Sequence, residues 1–212
     1  MNLRTRMMKG LARQLGHPRG PLGHVVGARL NRRNRGTVTA AIDALGGLDG
    51  AAAADLGFGG GVGLKVLFER VGPTGHVHGV EVSDTMLSGA QRRFKREVSE
   101  GRLQLHAGSL TELPLADDSL DAAITINTIY FLPELEAAFA ELARCLKPSG
   151  RAVVGIADPE MMRKLPFTAH GFNIRPVAEV VAQLSRAGLA LQGDRRTGEG
   201  DEAGHLLLVT LA

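Results

Sequence analysis

Cysteine occurs once in 212 residues, as Cys145. An intrachain disulfide, a CxxC redox pair and a cysteine-built zinc site are thereby excluded, and a reducing, cytoplasmic compartment is the expectation. Apolar runs are short, and none approaches the ~20 residues that a membrane-spanning helix needs. The N-terminus lacks the continuous apolar core of a signal peptide. Acid is missing from the first 42 residues, which hold nine bases: Arg4, Arg6, Lys9, Arg13, Arg19, Arg29, Arg32, Arg33 and Arg35. The remainder carries 16 basic and 22 acidic residues, so a basic arm precedes an acidic body in a chain of net charge +3. Such asymmetry suits an anionic partner, a membrane surface or nucleic acid. It also resembles an Arg-rich, acid-poor transit segment, and the plainest reading is that the arm's arginines pair with the acidic body.

From about residue 50 onward, strand-like and helix-like segments alternate, as in an α/β domain on a mainly parallel sheet. Strands are expected over 51–55, 76–81, 103–107, 121–126, 151–157, 189–193 and 205–210. Helices are expected over 62–70, 84–100, 133–146 and 176–187. The second is capped near Ser83 or Asp84 and ended by Gly101. Only the polar stretch 194–204 separates the last two strands, which predicts a hairpin and one antiparallel strand. The expected fold class is α/β: a Rossmann-like, seven-stranded, mostly parallel sheet with an antiparallel last strand. Before residue 50 the chain reads as helix in pieces, broken by His17-Pro18-Arg19-Gly20-Pro21.

Chemistry concentrates in Asp55-Leu56-Gly57-Phe58-Gly59-Gly60-Gly61-Val62-Gly63, between the first strand and the next helix. In an open α/β sheet such a loop lies at the carboxyl edge, where ligands bind. Glycine lets a ligand approach the backbone without meeting a Cβ, and the helix start offers unpaired N–H groups. The dinucleotide fingerprint G-x-G-x-x-G/A fails in every frame, because its last slot holds Val62, Leu64 or Val66. A phosphate-binding G-K-[ST] is absent as well. What remains is an acid two residues before a G-x-G-x-G run. It resembles the first motif of the class I S-adenosylmethionine-dependent methyltransferases.

The resemblance implies S-adenosylmethionine as cofactor, with Gly57, Phe58, Gly59 and Gly61 around its methionine part and Asp55 supporting the loop and the ammonium end. Further motifs follow in the family's order. Glu81 ends the second strand in Gly79-Val80-Glu81-Val82-Ser83, where a carboxylate can accept both ribose hydroxyl protons. An acid there also suits a dinucleotide fold. Val82 and Met86, the latter in a Met86-Leu87 pair, stand where the family approaches the adenine. Ala107-Gly108-Ser109 resembles the family's Gly-Asp at the adenine amino group, with a hydroxyl in place of the charge and Leu110 next to it. Leu113 to Asp121 and Leu142 to Gly150 resemble the family's lead into the fourth strand and its Leu-Lys-Pro-Gly-Gly helix end. The likeness spans about residues 51–212 and points to the type-11-like subgroup, which methylates small metabolites including quinone-type and lipid-type acceptors. On this reading residues 1–48 form a basic helical arm or lid, and residues 49–212 the cofactor-binding methyltransferase domain.

Methyl transfer is an in-line displacement at a sulfonium carbon. Alignment alone can supply ~7–11 kcal/mol, so no catalytic triad is needed. The run Asn127-Thr128-Ile129-Tyr130-Phe131-Leu132-Pro133 lies beside the methyl group in this family. Asn127 is assigned there to the cofactor amine and Tyr130, the single tyrosine, to the acceptor side; the plainer role for Tyr130 and Phe131 is packing the helix start. His170 falls in the insertion 161–175 and is a candidate base or acceptor ligand. The wall around it is otherwise apolar, from Met161, Met162, Leu165, Phe167 and Phe172. His76 and His78 read as structural. No HExxH or other ligand set is present, so no metal site is expected.

The implied partner is a small-molecule acceptor, lipid-like, quinone-like or anionic, with peripheral membrane contact through the basic arm. Nucleic acid is disfavoured, because the chain reads Asn-Thr-Ile-Tyr where enzymes of amino-nitrogen targets have an Asn-Pro-Pro-Tyr-like motif. The rival readings are an RNA or protein methyltransferase, which the basic arm encourages, and a cofactor-binding module without transfer activity.

Overall fold

Ala52–Leu56 forms the first strand, β1, although alanine is a weak strand former. Its central place explains this: β1 pairs in parallel with strands on both sides, and from Ala53 onward the strand is buried. The computed structural model describes residues 3–200 and 203–212, apart from the side chains of residues 3, 4, 21, 22, 24–31 and 33. Arg4, Arg29 and Arg33, with much of the dense run 27–35, therefore lie outside the described side chains.

The strands that follow are β2 (His76–Glu81), β3 (Leu103–Ala107), β4 (Leu120–Ile126), β5 (Leu146–Ala157), β6 (Leu189–Thr197) and β7 (Gly204–Leu211), in the order β3-β2-β1-β4-β5-β7-β6. Only β7 runs against its neighbours, because the β6–β7 connection is a hairpin and β7 returns between β6 and β5. The strand order reverses at β1, with β2 on one side and β4 on the other. Ligands of open α/β sheets bind outside the carboxyl ends of the strands at such a reversal.

Helices cover both faces. Period-two alternation sends Ala53, Ala122, Ile124 and Val153 to one face and Ala54, Ala123, Ala152 and Val154 to the other. The first face is covered by α2 (Gly20–Ala44), α3 (Val62–Val71) and α4 (Asp84–Arg93); the second by α6 (Glu136–Cys145) and α8 (Val177–Arg186). α1 (Leu3–Gly16), α5 (Lys95–Ser99) and α7 (Pro159–Lys164) complete the helices.

Of the expected boundaries that moved, three bear on the packing. The helix expected over 84–100 is divided at Phe94, whose backbone leaves the helical region at φ −109°, ψ 31°. Its ring is buried beside Phe68 and Gly61. β5 begins at Leu146, five residues early, because Leu146 already pairs with Leu120 and a register shift absorbs the turn expected at 147–150. The division expected at residue 48 is no packing boundary: Val38, Ala41, Ile42, Leu45 and Leu48 are buried in the same cluster as Leu64 and Val77. The second half of α2 is part of the core.

Candidate active site

At the carboxyl edge of β1, the backbone of Gly57 turns at φ 79°, and a β-carbon there would lie 2.4 Å from Thr128 Cγ2. Glycine is required twice over, by conformation and by contact. Gly59 follows at φ 51°, where a β-carbon would stand in open space at a cavity wall. Gly61 caps α3 at φ 79°. It does not line the cavity as expected; Gly60 and Gly63 do. Gly61 instead turns the chain into α3, with its N–H donated to Phe58 O at 2.9 Å.

Gly63 carries a constraint that the motif spacing does not reveal. A β-carbon on it would lie 2.1 Å from Asp55 Oδ2, so the buried Asp55 carboxyl rests on the first turn of α3. Burial, reinforced by the neighbouring Glu81, pushes the Asp55 pKa up to about 8.

Glu81, at the end of β2, is equally buried. Gly59 N–H donates to its Oε2 at 2.9 Å, while Val82 and Ser83 N–H donate to Oε1 at 2.9 and 3.0 Å. The carboxylate expected to take the ribose thus also fastens the glycine loop to β2. Ser83 caps α4 by accepting from Met86 N–H and donates to Pro18 O at 2.5 Å; Gly20 N–H donates to Thr85 Oγ1. The segment joining α1 to α2 is therefore bonded to the first turn of α4.

Asp55, Gly57, Phe58, Gly59, Glu81, Val82, Met86, Ser109, Leu110, Asn127 and Tyr130 all line one cavity of about 290 Å³. Ser109 reaches it from the β3–β4 connection, where Ser109 Oγ and Thr111 Oγ1 share a 2.8 Å hydrogen bond. Arg144 of α6 pins that connection by donating to the carbonyls of Leu113 and Leu115. Asn127, just past β4, holds a left-handed backbone at φ 58°, strain of a kind that clusters at binding sites.

The Tyr130 hydroxyl accepts Ala157 N–H at 2.5 Å and lies 3.4 Å from Asn127 Oδ1. Burial raises its pKa, so it stays a protonated latch between the ends of β4 and β5. Its ring joins Phe131, Phe167 and Phe172, with centroids 4.8 Å apart for Phe131–Phe172 and 5.6 Å for Phe167–Phe172. Met161, Met162, Leu165 and Leu132 extend the same apolar half. His170 is half-buried behind this wall and does not line the cavity, so the structure does not bring the expected base to the site.

Residues that sequence reasoning missed hold this half together. Asn173 donates to the carbonyls of Tyr130 and Leu132, and Arg175 to those of Leu132 and Pro133, fixing the 158–175 cover on the segment after β4. From the chain before β1, Leu15, Gly16, Pro18, Asn34, Thr37 and Val38 complete the wall. His78 and His106, stacked across β2 and β3, do not line the cavity. Burial lowers both pKa values, that of His78 to about 4.

The donor set fits S-adenosylmethionine. Glu81 presents a carboxylate for a diol, Asp55 an acid for an ammonium, and Gly59 a wall without a side chain. Residues 54–154 match the methyltransferase domain family. The chain is 31% identical over 113 residues to an arsenite methyltransferase of Halobacterium salinarum, covering 53% of this chain and 28% of the other. It is 37% identical over 90 residues to a demethylmenaquinone methyltransferase of Halalkalibacterium halodurans, covering 41% and 35%. The chain spans about a quarter to a third of the length of several curated relatives it matches. A crystal structure of an S-adenosylmethionine-dependent methyltransferase from Aquifex aeolicus superposes with a TM-score of 0.71 at 20% identity, over 96% of this chain and 98% of the other. Fold, loop and family match agree: residues 54–154 are similar to the methyltransferase domain family, and the chain shares the fold of the S-adenosylmethionine-dependent methyltransferase from Aquifex aeolicus.

Proposed function

We propose that this protein methylates a small, uncharged and largely apolar acceptor, lipid-like or quinone-like, held between the 3-10 turn Ile129–Phe131 and the 158–175 cover. One observation carries the reading. A single cavity joins the glycine loop and Glu81 to an aromatic and methionine-rich half whose lining has no charged side chain among the described residues. Desolvating a charged acceptor there would go uncompensated, whereas apolar surface is stabilised.

When bound, S-adenosylmethionine supplies a methyl group on a sulfonium. The chain's residues bind and align. Glu81 takes the ribose hydroxyls, Asp55 and the Gly57–Gly59 turn hold the amino-acid end, and Val82, Met86 and Leu110 flank the adenine with Ser109 at its edge. Asn127 faces the amine. Tyr130, fixed by Ala157, positions the acceptor through its ring. Glu81, Asp55 and the glycine loop would hold the sulfonium group while Tyr130 and the cover hold the acceptor, so the methyl group would be supplied directly between them. The cover and the arm exclude water from this step.

The relatives support a small acceptor, since one is named for arsenite and one for demethylmenaquinone. The same reading places the protein in the cytoplasm, where its one thiol, buried Cys145, stays reduced. Titration calorimetry should show one S-adenosylmethionine or S-adenosylhomocysteine site per chain and no heat with NAD. Product formation across quinols, isoprenoids and charged metabolites should then favour the first two. Transfer confined to charged metabolites would overturn the acceptor assignment.

A further inference from the structure

We propose that α1 is an interfacial helix that seats the protein on an anionic lipid surface, beside the apolar half of the cavity. α1 has two unlike faces. Its inner face packs against the 3-10 turn Pro166–Ala169, with Ala12 buried and Met8 and Leu15 half-buried. Gly16 lies so close to Phe131 that a β-carbon on it would stand 2.6 Å from the ring. The outer face carries Met7 and Leu11, 61% and 38% exposed and one helical turn apart. Between them Gly10 faces open space.

Of the four large apolar side chains exposed among the described residues, two are this pair, while Val82 lines the cavity and Leu191 lies on β6. Arg6 and Arg13 flank the pair and are exposed, as are Arg19, Arg32 and Arg35 farther along the arm. No acid occurs before Asp43.

An exposed apolar pair bordered by bases, on a helix docked against the body, matches an anionic bilayer in both chemistries: methyl and thioether groups enter the headgroup boundary while arginines meet lipid phosphates. Nucleic acid would use the arginines and leave Met7 and Leu11 without a purpose. The last turn of α1 and the residues after it, Leu15, Gly16 and Pro18, are cavity wall, so a membrane under α1 lies at the rim through which an apolar acceptor would enter. That route rests on the proposed function; the docking itself does not.

Co-sedimentation of the full chain with phosphatidylcholine vesicles, with and without phosphatidylglycerol, tests the docking. Binding should require phosphatidylglycerol and weaken as salt shortens the screening length. Met7→Gln with Leu11→Gln should lower partitioning by at least about tenfold at unchanged charge. Arg6→Gln with Arg13→Gln should lower it by roughly 25-fold, about fivefold per base. Calorimetry with S-adenosylmethionine should be the same for all variants, since none of these residues lines the cavity. Equal binding to both vesicle types, or full binding by the Met7/Leu11 variant, would overturn the proposal. So would displacement from vesicles by homopolymer RNA with no dependence on Met7 or Leu11, which would assign the bases to nucleic acid. Vesicle binding without any cofactor heat would refute the proposed function and leave the docking intact; the converse would refute only the docking.

Discussion

A β-carbon on Gly63 would meet Asp55 Oδ2 at 2.1 Å, so a side chain at 63 would displace the Asp55 carboxyl. Asp55 is also the group that makes stability depend on pH. Its carboxyl titrates near 3.8 when unfolded and near 8 when folded, through burial first and Glu81 second. Between these values the folded state keeps a proton that the unfolded state has released. Stability is therefore full below about pH 4, falls by about 1.4 kcal/mol per unit across the window, and levels off above pH 8. Asp55→Asn keeps the shape and removes the titration, so its melting temperature should fall less than the wild type's between pH 5 and 8, and parallel curves would show that Asp55 is not the titrating group. The same variant should lose roughly 1.5–3 kcal/mol of cofactor binding, the range for a hydrogen bond to a charged group. Glu81→Ala should weaken cofactor binding by a similar 1.5–3 kcal/mol and also free Gly59 N–H, which loosens the loop. Calorimetry at constant pH reads both losses, and wild-type affinity in either variant would misplace the site. Tyr130→Phe leaves Ala157 N–H without its acceptor. Unfolding should show a loss of ~1–3 kcal/mol, with turnover reduced more than cofactor affinity.

Elements differ in how plainly the sequence announces them. β2 and β3 were legible to the residue, because apolar alternation and flanking turns are local signals. The glycine loop was legible because strand, loop and helix follow one another along the chain. Phe94 was not, since a buried ring drawn to Gly61 and Phe68 outweighs a helical propensity that runs on through it. The cover over the acceptor half was legible as apolar composition, in Met161, Met162, Leu165, Phe167 and Phe172, but not in its anchoring. Arg175 and Asn173 look like ordinary loop residues until the fold brings carbonyls some forty positions upstream within reach. His170 misled because proximity in sequence to two cavity phenylalanines is not proximity to the cavity. The anchoring gives a test at this scale. Arg175→Ala strips the Pro133 carbonyl of its side-chain donor and leaves that of Leu132 to Asn173 alone, so the cover should sit less tightly. Acceptor KM should rise by about 5-fold or more, in keeping with the ~1–3 kcal/mol that such bonds carry, while cofactor affinity measured by calorimetry stays put. An equal loss of cofactor affinity would place the cover over both halves.

At the scale of the whole molecule, the question is where the arm ends and the domain begins. Composition put that line near residue 48, where the acid-free stretch gives way to the first strand. Packing puts it inside α2. Val38, Ile42, Leu45 and Leu48 are buried against Leu64, Leu67 and Val77 on one face of the sheet, with Ala41 fully enclosed among them. Fully burying side chains of this size contributes roughly 1.5–3 kcal/mol each. The four together rival the ~5–15 kcal/mol by which a domain is stable at all. Two truncations separated by a few helical turns should therefore behave differently. Removing residues 1–48 should give a chain that does not fold, with no cooperative melt. Removing residues 1–30 spares this core and leaves β1 to β7 fully covered, so a cooperative melt should survive, as should cofactor binding at the Glu81 end. The shorter cut does take away Leu15, Gly16 and Pro18 from the cavity wall, and with Pro18 the acceptor of the Ser83 hydroxyl. Turnover should then fall well below that of the full chain as water reaches the sulfonium, and vesicle binding should be lost with α1. If the protein lacking residues 1–30 turns over at the full rate, the arm is no part of the acceptor site. If the protein lacking residues 1–48 melts like the wild type, the burial of α2 against the sheet contributes far less than its contacts imply.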